Sequence, residues 1–297
     1  MNTDSGFFGS MKNRFTNLRY TTLGEASNNI YRGGSLWAKI VFILLIIIVF
    51  YIILRLGTSL LTYIFSPNSN PKIVNGLKDA TKQLIVPADP SISGSIPILR
   101  SRNQSGGMEF TWTVWINIKN IDFNNKKRKH IFHKGSKKFN ELNTAYPNNA
   151  PGLYLHENKN SLIVIMNTFE NILEEIEIND IPLNKWVNIG IVQKGKNLDI
   201  YVNGEIIKRH IFNDVPKQNY GEVFVNCNGG FNGQLSDLWY HNRALSGVEI
   251  INIVRQGPNM KTSDSWGIPS PPYLSLKWYT DADNDHKPMK GPIPWNN

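Results

Sequence analysis

The densest charge feature of the sequence is Lys126-Lys127-Arg128-Lys129, with Lys134, Lys137 and Lys138 beyond the short apolar run that follows. Four adjacent cations on a loop attract any polyanion, with an affinity that falls as salt screens the field. A solvated loop carries the same pattern, so residue types alone leave both readings open. His130 and His133 stand three apart in what reads as a strand. Side chains alternate faces along a strand, so these imidazoles are expected on opposite faces and unable to chelate one metal ion. Asp281, Asp283 and Asp285 are spaced like the opening ligands of a calcium loop, but His286 and Pro292 stand where the turn glycine and bidentate acid belong. A solvated acidic turn is expected there. Gly229 to Gly233 is followed by neither a lysine nor a helix start, so it reads as a β-turn and not a phosphate loop. Cys227 is the sole cysteine, which excludes an internal disulfide and predicts a free, buried thiol on a strand.

The elements that must position these residues follow from composition and period. The formal net charge of +9 permits contact with polyanions or anionic lipid. Its excess of Lys, beside abundant Asn and Ile, is also what an AT-rich coding sequence would produce, and no nucleic-acid partner is expected. From Ile40 to Leu54 the chain reads IVFILLIIIVFYIIL, and after Arg55 a milder apolar stretch runs from Leu56 to Phe65. Together they exceed the roughly 20 residues that cross a bilayer, so a transmembrane helix is placed at 39–65, behind a polar tail at 1–38. The segment starts far from Met1 and lacks a small-residue cleavage pattern, which marks a retained single-pass membrane anchor. Arg32 and Lys39 before the span are balanced by Lys72, Lys78 and Lys82 after it, so charge does not decide orientation. The tail is assigned to the cytosol and the large domain to the exoplasmic or lumenal side. Residues 66–97 read as a stalk with a short helix around Val74 to Leu84, and 259–297 as a Pro- and aromatic-rich extension in which LSLKWYT could add a strand.

Residues 98–258 read as an all-β, two-sheet antiparallel sandwich, because short strands alternate with turn residues. Phe110, Trp112, Val114 and Ile116 share one face by period 2, with Thr111, Thr113, Trp115 and Asn117 on the other. Further strands are expected at Gly152 to His156, Ser161 to Asn167, Trp186 to Gln193, Leu198 to Val202 and Val223 to Asn226. Asn203-Gly204 between two of these runs signals a type I′ hairpin. Leu245 to Arg255 is the one good helical stretch in this region.

The succession EFTWTVWINI, HIFHKG, PGLYLHENKNSLIVIMNT, IPLNKWVNIGIVQKGKNLDIYVNGEII and GGFNGQLSDLWYHNRALSGVEI, from about Arg100 to Pro258, resembles a laminin G-like, concanavalin A-like lectin/glucanase domain. The resemblance implies a concanavalin A-like jelly roll. Its pairing with an N-terminal anchor and a Pro-rich ending is similar to membrane or virion proteins of large DNA viruses.

That resemblance brings further expectations. Glucanases of the superfamily carry two catalytic carboxylates on one strand, and the comparable stretch is Glu174 to Asp180, where Glu175 and Glu177 share a face. The third acid of the pattern is displaced and its central Asp is a Glu, so a solvated strand face is expected and no catalytic residue is assigned. Calcium at the sandwich rim would draw on Asp237, Asn232 and Asn228, with no defined ligand set matched. The basic loop Lys126, Lys127, Arg128 and Lys129 would serve a sulfated glycan or other polyanion, and Trp239, Tyr240 and Tyr154 are the candidate glycan-stacking aromatics. Asn103-Gln104-Ser105 is a glycosylation sequon. The function implied is a membrane-anchored module that binds a glycan or protein; the alternative is a structural component of a virion or membrane assembly with capsid or envelope partners, and a third is a glycosidase.

Overall fold

The computed structural model describes residues 33, 35–124 and 126–262. LSLKWYT and the aspartates at 281–285 lie outside them. The chain divides after Ser66 into two units.

The first contains helix α1 (Leu36–Phe65), which begins three residues before the expected position because Ser35 caps it, its Oγ accepting the Ala38 N–H at 3.4 Å. At 1.5 Å per residue its 30 residues extend about 45 Å. Leu36–Ile64 is long and apolar enough to cross a membrane.

The second unit is a sandwich of two antiparallel sheets. Strands β1 (Leu77–Asp79), β2 (Leu84–Val86), β3 (Arg102–Gln104), β4 (Gly107–Asn120), β5 (Lys129–Gly135), β6 (Asn149–Leu155) and β7 (Ser161–Met166) come first. They are followed by β8 (Glu174–Asn179), β9 (Trp186–Lys194), β10 (Asn197–Val202), β11 (Glu205–Ile211), β12 (Glu222–Val225), β13 (Asn232–His241) and helix α2 (Gly247–Gln256). One sheet has the order β1-β13-β4-β9-β10-β11, with β3 also on β4; the other runs β2-β12-β5-β6-β7-β8. The core between them takes the expected face of β4, namely Phe110, Trp112, Val114 and Ile116. Trp112 packs its ring on Phe132 of the opposite sheet at 5.3 Å and on Tyr240 at 4.9 Å. The β10–β11 turn has φ of 51° at Asn203 and 91° at Gly204, as a type I′ turn requires.

Helix α2 opens with a capping box: the Ser246 Oγ accepts the Glu249 N–H and the Glu249 carboxylate accepts the Ser246 N–H. It lies on the outer face of the first sheet, where Ile250 packs with Val192, Tyr201 and Leu245. Gly190 permits this approach, since a Cβ there would stand 3.3 Å from the Tyr201 Cβ and 3.7 Å from the Ile250 Cδ1.

The expected stalk is a correction. Tyr240 donates its N–H to the Pro71 carbonyl and Ile73 to that of Leu238, so the chain runs beside β13 before forming β1. Strand β2 then crosses to the other sheet and pairs with β12. Ile73, Val74, Ala80 and Val86 are core residues, and the expected helix at Val74 to Leu84 is replaced by these two edge strands. The start of the C-terminal extension also joins the sandwich, with Thr262 bridging Leu77 in parallel. A chain beginning at Ile98 is therefore expected to melt well below one beginning at Pro67. Equal melting temperatures by circular dichroism would remove the two N-terminal strands from the folded core.

Candidate functional site

The two ends of the sandwich carry different chemistry. At one end β4 begins and β13 finishes in one sheet, while β5 finishes and β6 and β12 begin in the other. The sheets part there around a recess of about 240 Å³, floored by Phe110, Trp112 and Tyr240. One wall is Ile98 to Ser101, held by the Tyr240 hydroxyl, which donates to the Leu99 carbonyl at 3.0 Å. The other is Lys217 to Tyr220, tied across by a hydrogen bond from the Gln218 amide to the Ser101 Oγ. Lys134 reaches in from β5 and donates to the Asn219 carbonyl at 2.5 Å, its Oδ1 at 3.2 Å and the Gly221 carbonyl at 3.1 Å. Burial lowers the pKa of this ammonium to about 8. At the mouth Tyr220 is 86% exposed, and Phe169, 66% exposed, lies under the Lys217 Nζ at 4.7 Å. Asp89 also lines the recess; the Ser91 backbone N–H and side chain bond its carboxylate and hold its pKa low.

At the opposite end Asn124, Lys126, Lys127, Arg128, Phe139, Asn140, Asn143 and Asn228 line a second depression. Here the basic cluster divides, which corrects the polyanion assignment of all four residues. Lys126 and Lys127 are exposed, whereas Arg128 is buried and grips Glu175 through both Nη atoms at 2.6 and 2.8 Å. Lys129 is 1% exposed and donates to the carbonyls of His156 at 3.2 Å and Glu157 at 2.7 Å. The loop's field therefore comes from Lys126 and Lys127 alone among the four.

The histidine pair is also corrected. A bulge at Ile131 breaks the β5–β6 register, sending Ile131 and Phe132 both into the core and leaving His130 and His133 together on the outer face. His130 Nδ1 accepts the Cys227 N–H at 2.9 Å, its Nε2 meets His133 Nδ1 at 2.6 Å, and His133 Nε2 meets the Ser136 carbonyl at 2.9 Å. This sequence of partners assigns Nε2–H to both rings, because Nδ1 of each must accept. Phe139 covers both rings edge-on at 5.5 and 5.4 Å. Burial lowers the pKa of His130 well below its ordinary value, and that of His133 to about 4.

The calcium candidates do not converge. Asp237 pairs with Lys72 at 3.5 Å and accepts the N–H groups of Gly76 and Asn259. Asn232 lies five residues before it on β13, about 16 Å away at strand rise. Asn228 sits at the second depression, donating to the Asn143 Oδ1 at 2.5 Å. Among the described residues no cluster of three or more His, Cys, Asp or Glu could hold a metal ion.

Of the three aromatic candidates, only Tyr240 lines the recess. Tyr154 is 0% exposed, with its hydroxyl accepting from Ala145 N–H and the Asn149 amide, so no glycan can reach it. Trp239 is covered by the 70–72 segment: its Nε1 donates to the Asn70 carbonyl and the Lys72 ammonium lies 4.7 Å above its ring. Glu177 accepts from the Ser161 hydroxyl, which holds its pKa low, the reverse of what a glycosidase proton donor needs. Glu174 is bonded to His210 at 2.7 Å, so each acid of that strand is engaged. Asn103 is exposed on β3. Cys227 is buried as expected, but in a short 3-10 turn, and burial pushes its thiol up to about 12. Sequence reasoning missed Arg100, Lys217 and Tyr220; the one signal for them was their place in loops flanking strands that end together.

A family model described as the concanavalin A-like lectin/glucanases superfamily matches residues 93–251. No curated protein sequence matches the chain. Among solved structures, the receptor-binding domain of a botulinum neurotoxin C/D mosaic serotype is 12% identical over 61% of this chain and 42% of that one, with a TM-score of 0.42. The botulinum neurotoxin serotype G binding domain is 14% identical over 61% and 46%, with a TM-score of 0.41. The binding domain of botulinum neurotoxin DC in complex with rat synaptotagmin II is 16% identical over 50% and 35%, with a TM-score of 0.38. The chain thus spans less than half the length of each, and likeness at this level carries no argument about ligand.

The buried imidazoles make stability depend on pH with a definite sign. His133 and His241 have folded pKa values lowered to about 4 by burial, against 6.5 when unfolded. Their contribution is complete above pH 6.5 and is lost as pH falls towards 4, at roughly 1–3 kcal/mol each. Urea midpoints measured from pH 7.5 to 4.5 should drop steadily below 6.5, and a flat profile would show that the rings are not buried neutral.

Proposed function

The chain belongs to the concanavalin A-like lectin/glucanases superfamily, and on that premise we propose that it is a binding module, held at a membrane by α1, that takes a carbohydrate in the recess floored by Phe110, Trp112 and Tyr240. One observation carries this reading: the exposed ring of Tyr220, above a buried aromatic floor, meets a ring of hydrogen-bonding groups, Arg100, Ser101, Lys217, Gln218 and Asn219, at one opening. Sugars need both, an apolar face for the ring C–H bonds and several polar groups for the hydroxyls. The cleft of a glycosidase would need in addition a protonated and an ionised carboxyl, and only Asp89 among the lining residues is an acid.

A second reading has its own observation. Phe169, Ile172 and Val215 are all exposed on two loops joined by the Phe169 N–H to Val215 carbonyl bond, beside the same opening. An apolar tip of that kind suits a protein partner, including a neighbouring subunit of a virion or membrane assembly. Placement of the domain on the exoplasmic or lumenal side belongs to the same proposal, and the exposed sequon at Asn103 makes it testable.

Full-length chain in detergent micelles is expected to bind a defined subset of a glycan array, and Tyr220→Ala to reduce that signal about tenfold while leaving the melting temperature unchanged. A folded chain that binds no glycan, but captures a protein partner lost on Phe169→Ser, would favour the second reading. Expressed in a eukaryotic secretory system, the chain should lose apparent mass on endoglycosidase treatment, and Asn103→Gln should abolish the shift. An unmodified wild-type chain would argue for the cytosolic side.

A further inference from the structure

Three cations surround the aromatic floor of the recess, and one of them is buried. Lys134 is held inside by three backbone and side-chain oxygens, Lys217 stands on the wall over Phe169, and Arg100 is exposed at the lip. Against these, the lining residues include a single acid, Asp89, whose carboxylate is turned to the Ser91 N–H at 2.8 Å. The lining therefore carries an excess of positive charge over a low-dielectric floor, where a field is screened less than at an open surface.

From this arrangement we infer that the recess selects acidic carbohydrates, with Arg100 and Lys217 meeting an anionic ring substituent while the exposed ring of Tyr220 at the mouth takes the apolar face of the sugar. The inference rests on the carbohydrate reading above and narrows its ligand class. Lys134 acts differently from the other two. Its donors are already committed to Asn219 and Gly221, so it supplies charge from beneath and holds the 217–221 wall in place, and it is a positioning residue. The other basic end of the sandwich does not compete for this role on shape. Lys126 and Lys127 stand exposed over a depression lined chiefly by asparagines, and only Phe139 offers it an aromatic surface.

Matched pairs of uronic acid oligosaccharides and their carboxyl-reduced forms separate charge from shape. Sulfated counterparts of the same sugars report whether the anion must be a carboxylate. Titrated into the full-length chain at low and physiological salt, acidic members are expected to bind about tenfold tighter than reduced ones. Arg100→Gln with Lys217→Gln should erase that difference, bringing the acidic members to the affinity of their reduced forms. Equal affinity for both members overturns the inference and leaves the carbohydrate reading standing. A preference abolished by Lys126→Ser with Lys127→Ser, and untouched by the Arg100 and Lys217 variants, also overturns it, by moving the anion to the opposite end. Failure of every oligosaccharide to bind, acidic or neutral, overturns both.

Discussion

Everything in the sandwich depends on the burial of Trp112. Its ring lies against Phe132 of the facing sheet and Tyr240 of the neighbouring strand, so one side chain joins both sheets and both strands that form the recess. Burying an indole of this size removes well over 100 Å² of apolar surface from water, and truncation of such residues typically costs about 3–5 kcal/mol. The same ring is part of the recess floor. Stability and the proposed binding recess thus share one set of atoms, which leaves the loops at 98–101 and 217–220 around it as the places free to vary.

The outer face of the second sheet follows a different rule. There the buried groups are polar: His130 and His133 in a bonded chain, Arg128 on Glu175, and Lys129 on two carbonyls. Buried charges cost more to desolvate than a single pair returns unless further hydrogen bonds satisfy them, and each of these is multiply bonded. What the network provides is fixed geometry. It ties the β5–β6 loop, through Ser136, Phe139 and Asn143, to the strand beneath and to the turn at Cys227 and Asn228.

Much of this was legible in the sequence where period and local chemistry agree. The alternation from Phe110 to Ile116 fell on the core as read, Asn203-Gly204 formed its turn, and the helical stretch read at Leu245 to Arg255 formed as Gly247–Gln256. The failures have physical causes. A single bulged residue, Ile131, inverts the parity on which the separation of His130 and His133 rested. Strands of three residues bounded by Pro, Gly and Asn carry no period, so β1 and β2 read as a stalk. The run Lys126 to Lys129 straddles a loop and a strand start, and charge alone does not reveal which pair finds buried oxygens. Tyr154 and Trp239 are aromatic residues on strands, and what covers each comes from the 139–149 loop and the 70–72 segment, far away in sequence in the second case.

The contrast between the two ends is why the proposed recognition is assigned to the Trp112 end. A field without shape concentrates anions near a surface but cannot distinguish one from another, because exposed charge pairs are weak and screened. Lys126 and Lys127 offer such a field. The Trp112 end joins charge to an enclosed aromatic surface and to amide and hydroxyl groups whose orientation is set by bonds within the walls, Gln218 to Ser101 and Tyr240 to Leu99. Preorganised walls reduce the entropy lost on binding, so affinity there reflects complementarity to the ligand, and that is the condition for specificity.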